Sequence, residues 1–363
     1  MDFRQLELNP RIISAAKKAN LKSARDILGL SGPDLQRLTR LSMSDVQRLQ
    51  AAVAVAFRKS PPVTALQLYR GECPDLEPRH RLTLGCPTLD CLMRGGIPLS
   101  GITELAGESG AGKTQIGLQL CLSVQYPQVH GGLGSGAVYI CTEDAFPIKR
   151  LHQLITQQPR LRPDLPTDLL HGLCFSDNIY IEHAADLGVL QTCLSQRVPI
   201  LLARGLARLV VLDSVAALFR CEFTAEESSK RARHLVALAS TLQHLSHSFN
   251  APVLCINQVT DVVEHCDASQ FRCGLVESAV LPALGMAWAN QLLVRLMMRR
   301  LGGVPSLGAG IGAARRLEVV YAPHLPRASC LCHIGEEGVK GVLSPDSAHI
   351  VSSHMDLYGK TEV

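Results

Sequence analysis

The chain has 363 residues, 47% of them hydrophobic, enough apolar side chain for buried cores in about two domains. A formal charge of +4 excludes a surface that is basic throughout, so any nucleic-acid contact has to be local. Thirteen cysteines are scattered without a Cys-x-x-Cys pair, several inside apolar runs such as Val253-Leu254-Cys255-Ile256. That excludes a disulfide framework and predicts reduced, buried thiols in the cytosol or nucleus. There is no apolar signal-peptide core and no uncharged stretch of membrane-spanning length, so no membrane is expected as a partner.

Residues 1–58 carry apolar positions at helical spacing: Ile12, Ile13 and Ala16, then Leu21, Ile27 and Leu28, then Leu35, Leu38, Leu41, Val46 and Leu49. They predict a small all-helical N-terminal domain. Ser31-Gly32-Pro33-Asp34 has the shape of a helix-hairpin-helix turn whose amides meet a phosphate, or of an ordinary helix–helix connection in a protein-docking bundle. Residues 59–80, with prolines at 61, 62, 74 and 78, have the composition of a linker. From 81 to 343 short apolar runs alternate with helical patterns, which predicts an α/β core with a mostly parallel central sheet. Within it, residues 302–312 form a glycine-rich loop, and residues 344–363 read as a flexible tail.

The first apolar run, Gly101-Ile102-Thr103-Glu104-Leu105-Ala106, leads into Gly107-Glu108-Ser109-Gly110-Ala111-Gly112-Lys113-Thr114. This matches the Walker A pattern at every constrained position. Glycines let successive backbone N–H groups curl around phosphates, and the helix that starts there adds its positive dipole end. Lys113 supplies an ammonium for the β- and γ-phosphates and Thr114 a hydroxyl for Mg²⁺, so the expected cofactors are ATP and Mg²⁺.

Ligand sites in parallel sheets lie beyond the carboxyl ends of the strands. Leu209-Val210-Val211-Leu212-Asp213-Ser214 delivers a carboxylate there, and Asp213 is the expected second Mg²⁺ ligand. Val138-Tyr139-Ile140-Cys141-Thr142-Glu143-Asp144 delivers another, and Glu143 is the candidate base that orients and deprotonates water. Asn257-Gln258 ends a third run and is read as a pair of amides sensing the γ-phosphate, or as satisfied core amides.

Other features have plainer readings. His244-Leu245-Ser246-His247 lacks a cysteine pair at ligand spacing and is a solvated helix face. Arg299-Arg300 and Arg315-Arg316 form a positive ridge for DNA or are exposed strand-end charges. Tyr126 and Trp288 are expected in cores or interfaces.

In that order behind a helical domain, residues 107–114, Thr142-Glu143, 209–214 and Asn257-Gln258 resemble the RecA-like recombinases of eukaryotes, from about residue 8 to 338. Leu8-Asn9-Pro10-Arg11-Ile12-Ile13, Arg220-Cys221-Glu222-Phe223 and Trp288-Ala289-Asn290-Gln291-Leu292-Leu293-Val294-Arg295 carry the likeness toward the repair paralogues of that family. The resemblance implies a RecA-like P-loop ATPase core with weak, DNA-dependent turnover. It implies work in homologous-recombination repair of double-strand breaks and branched intermediates, in the nucleus with a cytoplasmic pool. The implied partners are the C-type recombinase paralogue in a heterodimer, the recombinase filament, and single-stranded or branched DNA. Arg150 matches the family arginine near the adenine, and Pro326 the cap proline that a neighbouring subunit presents to the nucleotide. The alternatives are a structural adaptor that binds ATP without turnover and a P-loop DNA motor.

Three departures qualify the likeness. The Phe-x-x-Ala linker of polymerising members reads Pro62-Val63-Thr64-Ala65 here. The first DNA-binding loop, residues 220–233, carries Glu226-Glu227, which moves DNA contact to Lys230-Arg231-Ala232-Arg233. The second loop, residues 260–285, has only Arg272 as arginine or lysine.

Overall fold

The computed structural model describes residues 8–21, 24–57, 63–70, 72, 80–261, 280–301 and 314–342. The glycine-rich segment 302–312, Arg272 with most of the second loop, most of the linker and the tail 344–363 lie outside the described residues. The chain divides into two compact units, Met1–Pro78 and Arg79–Val363.

The first unit contains helices Pro10–Lys18, Ala24–Leu28, Gly32–Thr39 and Met43–Phe57. Side-chain oxygens satisfy amides that have no intrahelical acceptor at three of the helix starts: Asn9 Oδ1 accepts from Arg11 N at 3.0 Å, Ser31 Oγ from Asp34 N at 3.3 Å and Ser42 Oγ from Asp45 N at 3.2 Å. Ile12, Ala16, Leu21, Ile27, Leu35, Leu41, Val46, Leu49 and Val53 close a common core. Leu28 and Leu38, expected inside, are 44% and 53% exposed. In the eight-residue helix that bears Leu38, the buried face is Leu35 and Thr39, one turn apart, and Leu38 is rotated off it. A short helix, Ala65–Tyr69, interrupts the linker, nucleated by a capping box in which Thr64 Oγ1 accepts from Gln67 N (3.2 Å) and Gln67 Oε1 from Thr64 N (2.8 Å).

In the second unit the strands are β1 (Ile102–Gly107), β2 (Gly136–Cys141), β3 (Ile179–His183), β4 (Ala207–Asp213), β5 (Val253–Asn257), β6 (Val259–Asp261), β7 (Val280–Pro282), β8 (Val294–Arg300), β9 (Arg315–Tyr321), β10 (Ala328–Gly335) and β11 (Gly338–Val342). Nine of them form one sheet in the order β11-β10-β9-β8-β1-β5-β4-β2-β3. The run from β8 to β3 is parallel and β8 to β11 is an antiparallel meander; β6 and β7 pair separately as an antiparallel ribbon.

Strand side chains alternate between two cores, as a sheet covered on both faces requires. Leu209 and Val211 of β4, Ala137 and Tyr139 of β2, and Leu254 and Ile256 of β5 face the helix Lys113–Ser123. Their neighbours Val210, Leu212, Val138, Ile140, Val253 and Cys255 face the helices Val215–Cys221 and Ser228–Phe249. Each fully buried Leu, Ile or Val contributes about 1.5–3 kcal/mol by burial alone. Tyr126 and Trp288 are fully buried, whereas Cys174 and Cys221 are exposed, contrary to the expectation of buried thiols, because both sit where helices meet surface connections. His244 and His247 lie on an exposed helix face, and no described helix is long and apolar enough to cross a membrane.

One backbone crossing tolerates no side chain. Gly96 has φ +121°, and a Cβ there would stand 2.1 Å from the Leu82 carbonyl oxygen, where residues 82 and 97 pair. Gly96→Ala is expected to lower stability by about 2–4 kcal/mol, seen as a drop in thermal midpoint; an unchanged midpoint would show that this crossing yields.

Candidate nucleotide-binding site

Register aligns the functional residues on one edge of the sheet. Ala106 lies opposite Asn257, Ile256 opposite Asp213 and Asp213 opposite Cys141, so β1, β5, β4 and β2 end level with one another. The glycine-rich loop therefore meets Gln258, Asp213 and Glu143 although as many as 151 positions, from 107 to 258, separate them.

The loop turns tightly, Ala111 N donating to Glu108 O at 3.2 Å, with Ser109 and Gly110 exposed at its tip. Gly107 and Gly112 leave no room for side chains. A Cβ on the first would stand 2.3 Å from Met298 O and on the second 2.2 Å from Ile334 Cδ1, and Gly112 has φ +109°. Gly112 caps the helix Lys113–Ser123, whose amino end opens into the loop.

Lys113 Nζ donates to Gly107 O and Glu108 O, both at 2.8 Å, spanning the loop from within. Burial pushes its pKa below the ordinary lysine value, opposed by the carboxylates of Asp213, Glu143 and Glu108. Thr114 Oγ1 donates to Asp213 Oδ2 at 2.8 Å, and Tyr139 Oη donates to the same oxygen at 2.6 Å. Burial first, and then the Asp213 charge, hold the Tyr139 phenol protonated well above its usual range.

Glu143 is exposed and doubly held: Gln258 Nε2 donates to Oε1 at 2.5 Å and Ser214 Oγ donates to Oε2 at 3.3 Å. The peptide between Asp213 and Ser214 is cis. Thr142 Oγ1 donates to Ser214 O at 2.7 Å and accepts from Ser214 N at 2.8 Å, tying the ends of β2 and β4 together. The Arg220 guanidinium bonds the Gln258 side-chain oxygen and reaches Val259 O at 3.2 Å.

The expected site residues are not all brought together. Lys113, Thr114, Asp213, Glu143 and Gln258 converge. Arg150 stands beside the loop helix: its Nε donates to Gln115 Oε1 at 2.6 Å and its Nη2 to Gly335 O, in the β10–β11 turn, at 2.6 Å. Pro326, exposed in the turn between β9 and β10, lies at the other edge of the sheet, because β9 runs antiparallel to β8 with Tyr321 opposite Arg295 and Arg295 opposite Glu104. Asn257 is fully buried and bonded to Glu104 and Ala283 O, so of the two amides only Gln258 faces the site.

Neither reading of the arginine pairs fits Arg315. Its guanidinium donates to Ala111 O at 2.9 Å and Gly110 O at 3.4 Å, since β8 continues past Gly107 and pairs Arg300 with Arg315 over the loop. Arg299 faces Glu318 at 3.7 Å. Among residues that sequence reasoning missed, Tyr139 and Ser214 had a signal, since strand alternation and adjacency to Asp213 place them; Arg220 and Arg315 had none.

These donors fit a magnesium nucleotide. The loop has the close approach that only glycine permits, a half-buried ammonium waits among three carboxylates, and a hydroxyl and a carboxylate oxygen lie 2.8 Å apart as hard ligands for Mg²⁺. Phosphates favour the charged lysine, so nucleotide binding here is expected to take up a proton as pH rises through the lowered Lys113 pKa, with affinity falling there rather than near the ordinary value of about 10.4. Calorimetry in buffers of different ionisation enthalpy should detect that uptake; pH-independent binding through the alkaline range would contradict it.

A glycine-rich loop on a central parallel strand, a Thr–Asp oxygen pair and an acid at the end of the strand next to that of the Asp define a RecA-like P-loop protein. The chain belongs to the Rad51 family, whose profile matches residues 79–342, and residues 3–57 match the XRCC3/RpoA-like helix-hairpin-helix domain. It is 55% identical over 342 residues to the DNA repair protein XRCC3 of Bos taurus, covering 94% of this chain and 98% of that protein. The DNA repair protein XRCC3 of Mus musculus is 53% identical over 343 residues, again 94% and 98% of the two chains. DNA repair protein rhp57 of Schizosaccharomyces pombe is 31% identical, with 90% and 95% covered.

Proposed function

We propose that the chain is an ATP-binding recombination mediator in homologous-recombination DNA repair. It works as a heterodimer with the C-type recombinase paralogue, in support of the recombinase filament on single-stranded or branched DNA, and turns ATP over weakly. Its relatives are DNA repair proteins, which supports work in the nucleus.

One observation carries the reading of a shared nucleotide. Lys113, Thr114, Asp213 and Glu143 occupy the carboxyl edge of the sheet and Pro326 the opposite edge, so one subunit cannot apply both to one nucleotide. A neighbour stacked head to tail supplies what each lacks. The linker argues against long homopolymers: without the Phe at the position of Pro62, an anchor of about 2–4 kcal/mol is missing.

Within the site, residues 107–112 and Lys113 hold the phosphates, with Arg150 beside the loop helix toward the adenine. Thr114 and Asp213 hold Mg²⁺, which when bound neutralises phosphate charge. Glu143, held on both oxygens, orients a water and takes its proton. Gln258, bonded to Glu143, stands where a γ-phosphate is felt. DNA contact falls to Arg233, exposed on the helix Ser228–Phe249, more than to Lys230, which is engaged by Glu227 at 3.1 Å.

Calorimetry on the complex co-purified with the C-type paralogue tests the reading: Mg²⁺-dependent ATP uptake is expected, and its absence would remove it. Uptake without turnover on DNA would establish the adaptor instead, and ring assembly with ATP in electron micrographs would establish the motor.

A further inference from the structure

Glu104, in the middle of β1, is fully buried, and its carboxylate is held by three polar side chains. Its Oε1 accepts from Asn257 Nδ2 and from Trp288 Nε1, both at 2.7 Å, and its Oε2 pairs with the Arg295 guanidinium. Arg295 lies over the Tyr321 ring, 5.5 Å from the centroid, and Tyr321 Oη donates to Ala289 O at 2.7 Å, at the end of the helix Gly285–Ala289 that carries Trp288. The network closes on itself across β5, β1, β8 and β9. A buried ion pair of this kind is weak support for stability, since well-packed apolar residues often do as well.

Its reach gives it another use. Asn257 Nδ2 also donates to Ala283 O at 3.0 Å, Asn257 Oδ1 accepts from Gln258 N at 2.8 Å, and Ala283 N donates to Gln258 O at 2.9 Å. One amide side chain therefore holds both ends of the excursion from 258 to 283, including the β6–β7 ribbon. On one side of this staple Gln258 grips Glu143 and Arg220; on the other stands Trp288, the single tryptophan of the chain.

We propose that Glu104 is a positioning residue: through Asn257 it sets Gln258 against Glu143, and it passes the state of the nucleotide site to Trp288. This rests on the nucleotide site proposed above. A displacement of Gln258 by the γ-phosphate shifts its backbone amide against Asn257 Oδ1, which moves the other end of that side chain against Glu104 and alters the acceptor shared with the indole.

Tryptophan emission of the full-length chain is the test. With Mg²⁺ and saturating ATP the emission should differ from that with ADP. In Asn257→Leu, which has the same branching and number of side-chain heavy atoms, ADP affinity should stay within about threefold, while the difference in emission vanishes and the preference for ATP over ADP drops about tenfold, the weight of one hydrogen bond to an ionised group. A purely structural role would not move these two readouts while sparing ADP affinity. Should Asn257→Leu not fold, Asn257→Ser, too short to reach Glu104, is measured the same way. Wild-type emission blind to nucleotide, or variants that keep both the emission difference and the preference, would overturn the proposal while leaving the nucleotide site standing. A wild-type chain that takes up no ATP would bring down both.

Discussion

Lys113→Ala is expected to lose most of its ATP binding in solution calorimetry. The ammonium it removes is the positive side chain that spans the inside of the loop, 2.8 Å from both Gly107 O and Glu108 O, among the carboxylates of Glu108, Glu143 and Asp213. Without it those acids face the phosphates unopposed. Losing a charge-assisted contact and gaining that repulsion should weaken binding at least about 100-fold, or roughly 3 kcal/mol. The fold should survive, because the lysine bonds only its own loop and is destabilised by burial. Lys113→Arg should not rescue, since a planar fork cannot occupy a cradle shaped for a compact ammonium. Partner-stimulated ATPase that persists in Lys113→Ala would refute the role given to this residue.

Glu143→Gln separates chemistry from binding. The amide keeps the length of the side chain and its hydrogen bond from Ser214, but it cannot accept a proton from water. Turnover should fall by a factor of about 10²–10⁴, the usual worth of a positioned base, while ATP affinity holds or rises slightly as one negative charge leaves the site. Single-turnover measurements with DNA and the partner read the first number, and calorimetry the second. Unchanged turnover would show that Glu143 is only a strand-end acid held by Gln258 and Ser214. Unchanged cellular repair alongside lost turnover would mean that bound ATP, not its hydrolysis, is what the complex uses.

The contrast between the two acids shows how far sequence carries. Asp213 and Glu143 were both legible because each ends an apolar run, and strand ends in a parallel sheet are where ligands sit. Their different surroundings were not. Asp213 receives two hydroxyls, from Thr114 and Tyr139, whereas Glu143 is exposed and held by an amide and a serine. Asn257 and Gln258, adjacent in the chain, point to opposite sides as strand alternation demands, one into the Glu104 network and one to Glu143. Which of them faced the site depended on which face of β5 the helix Lys113–Ser123 covers.

By itself the sequence determined the phosphate loop, the helical first unit and the mostly parallel α/β character of the core, because each is written in contiguous residues: glycines at fixed offsets, apolar positions at helical spacing, apolar runs of strand length. Tertiary structure decided the rest. Arg315 lies on the loop from 204 residues away, Arg220 holds Gln258, and a buried glutamate in β1 joins Asn257, Trp288 and Arg295. None of these pairings has a local signature, since they arise from the register between strands distant in the chain, and that register is set only when both faces of the sheet are packed.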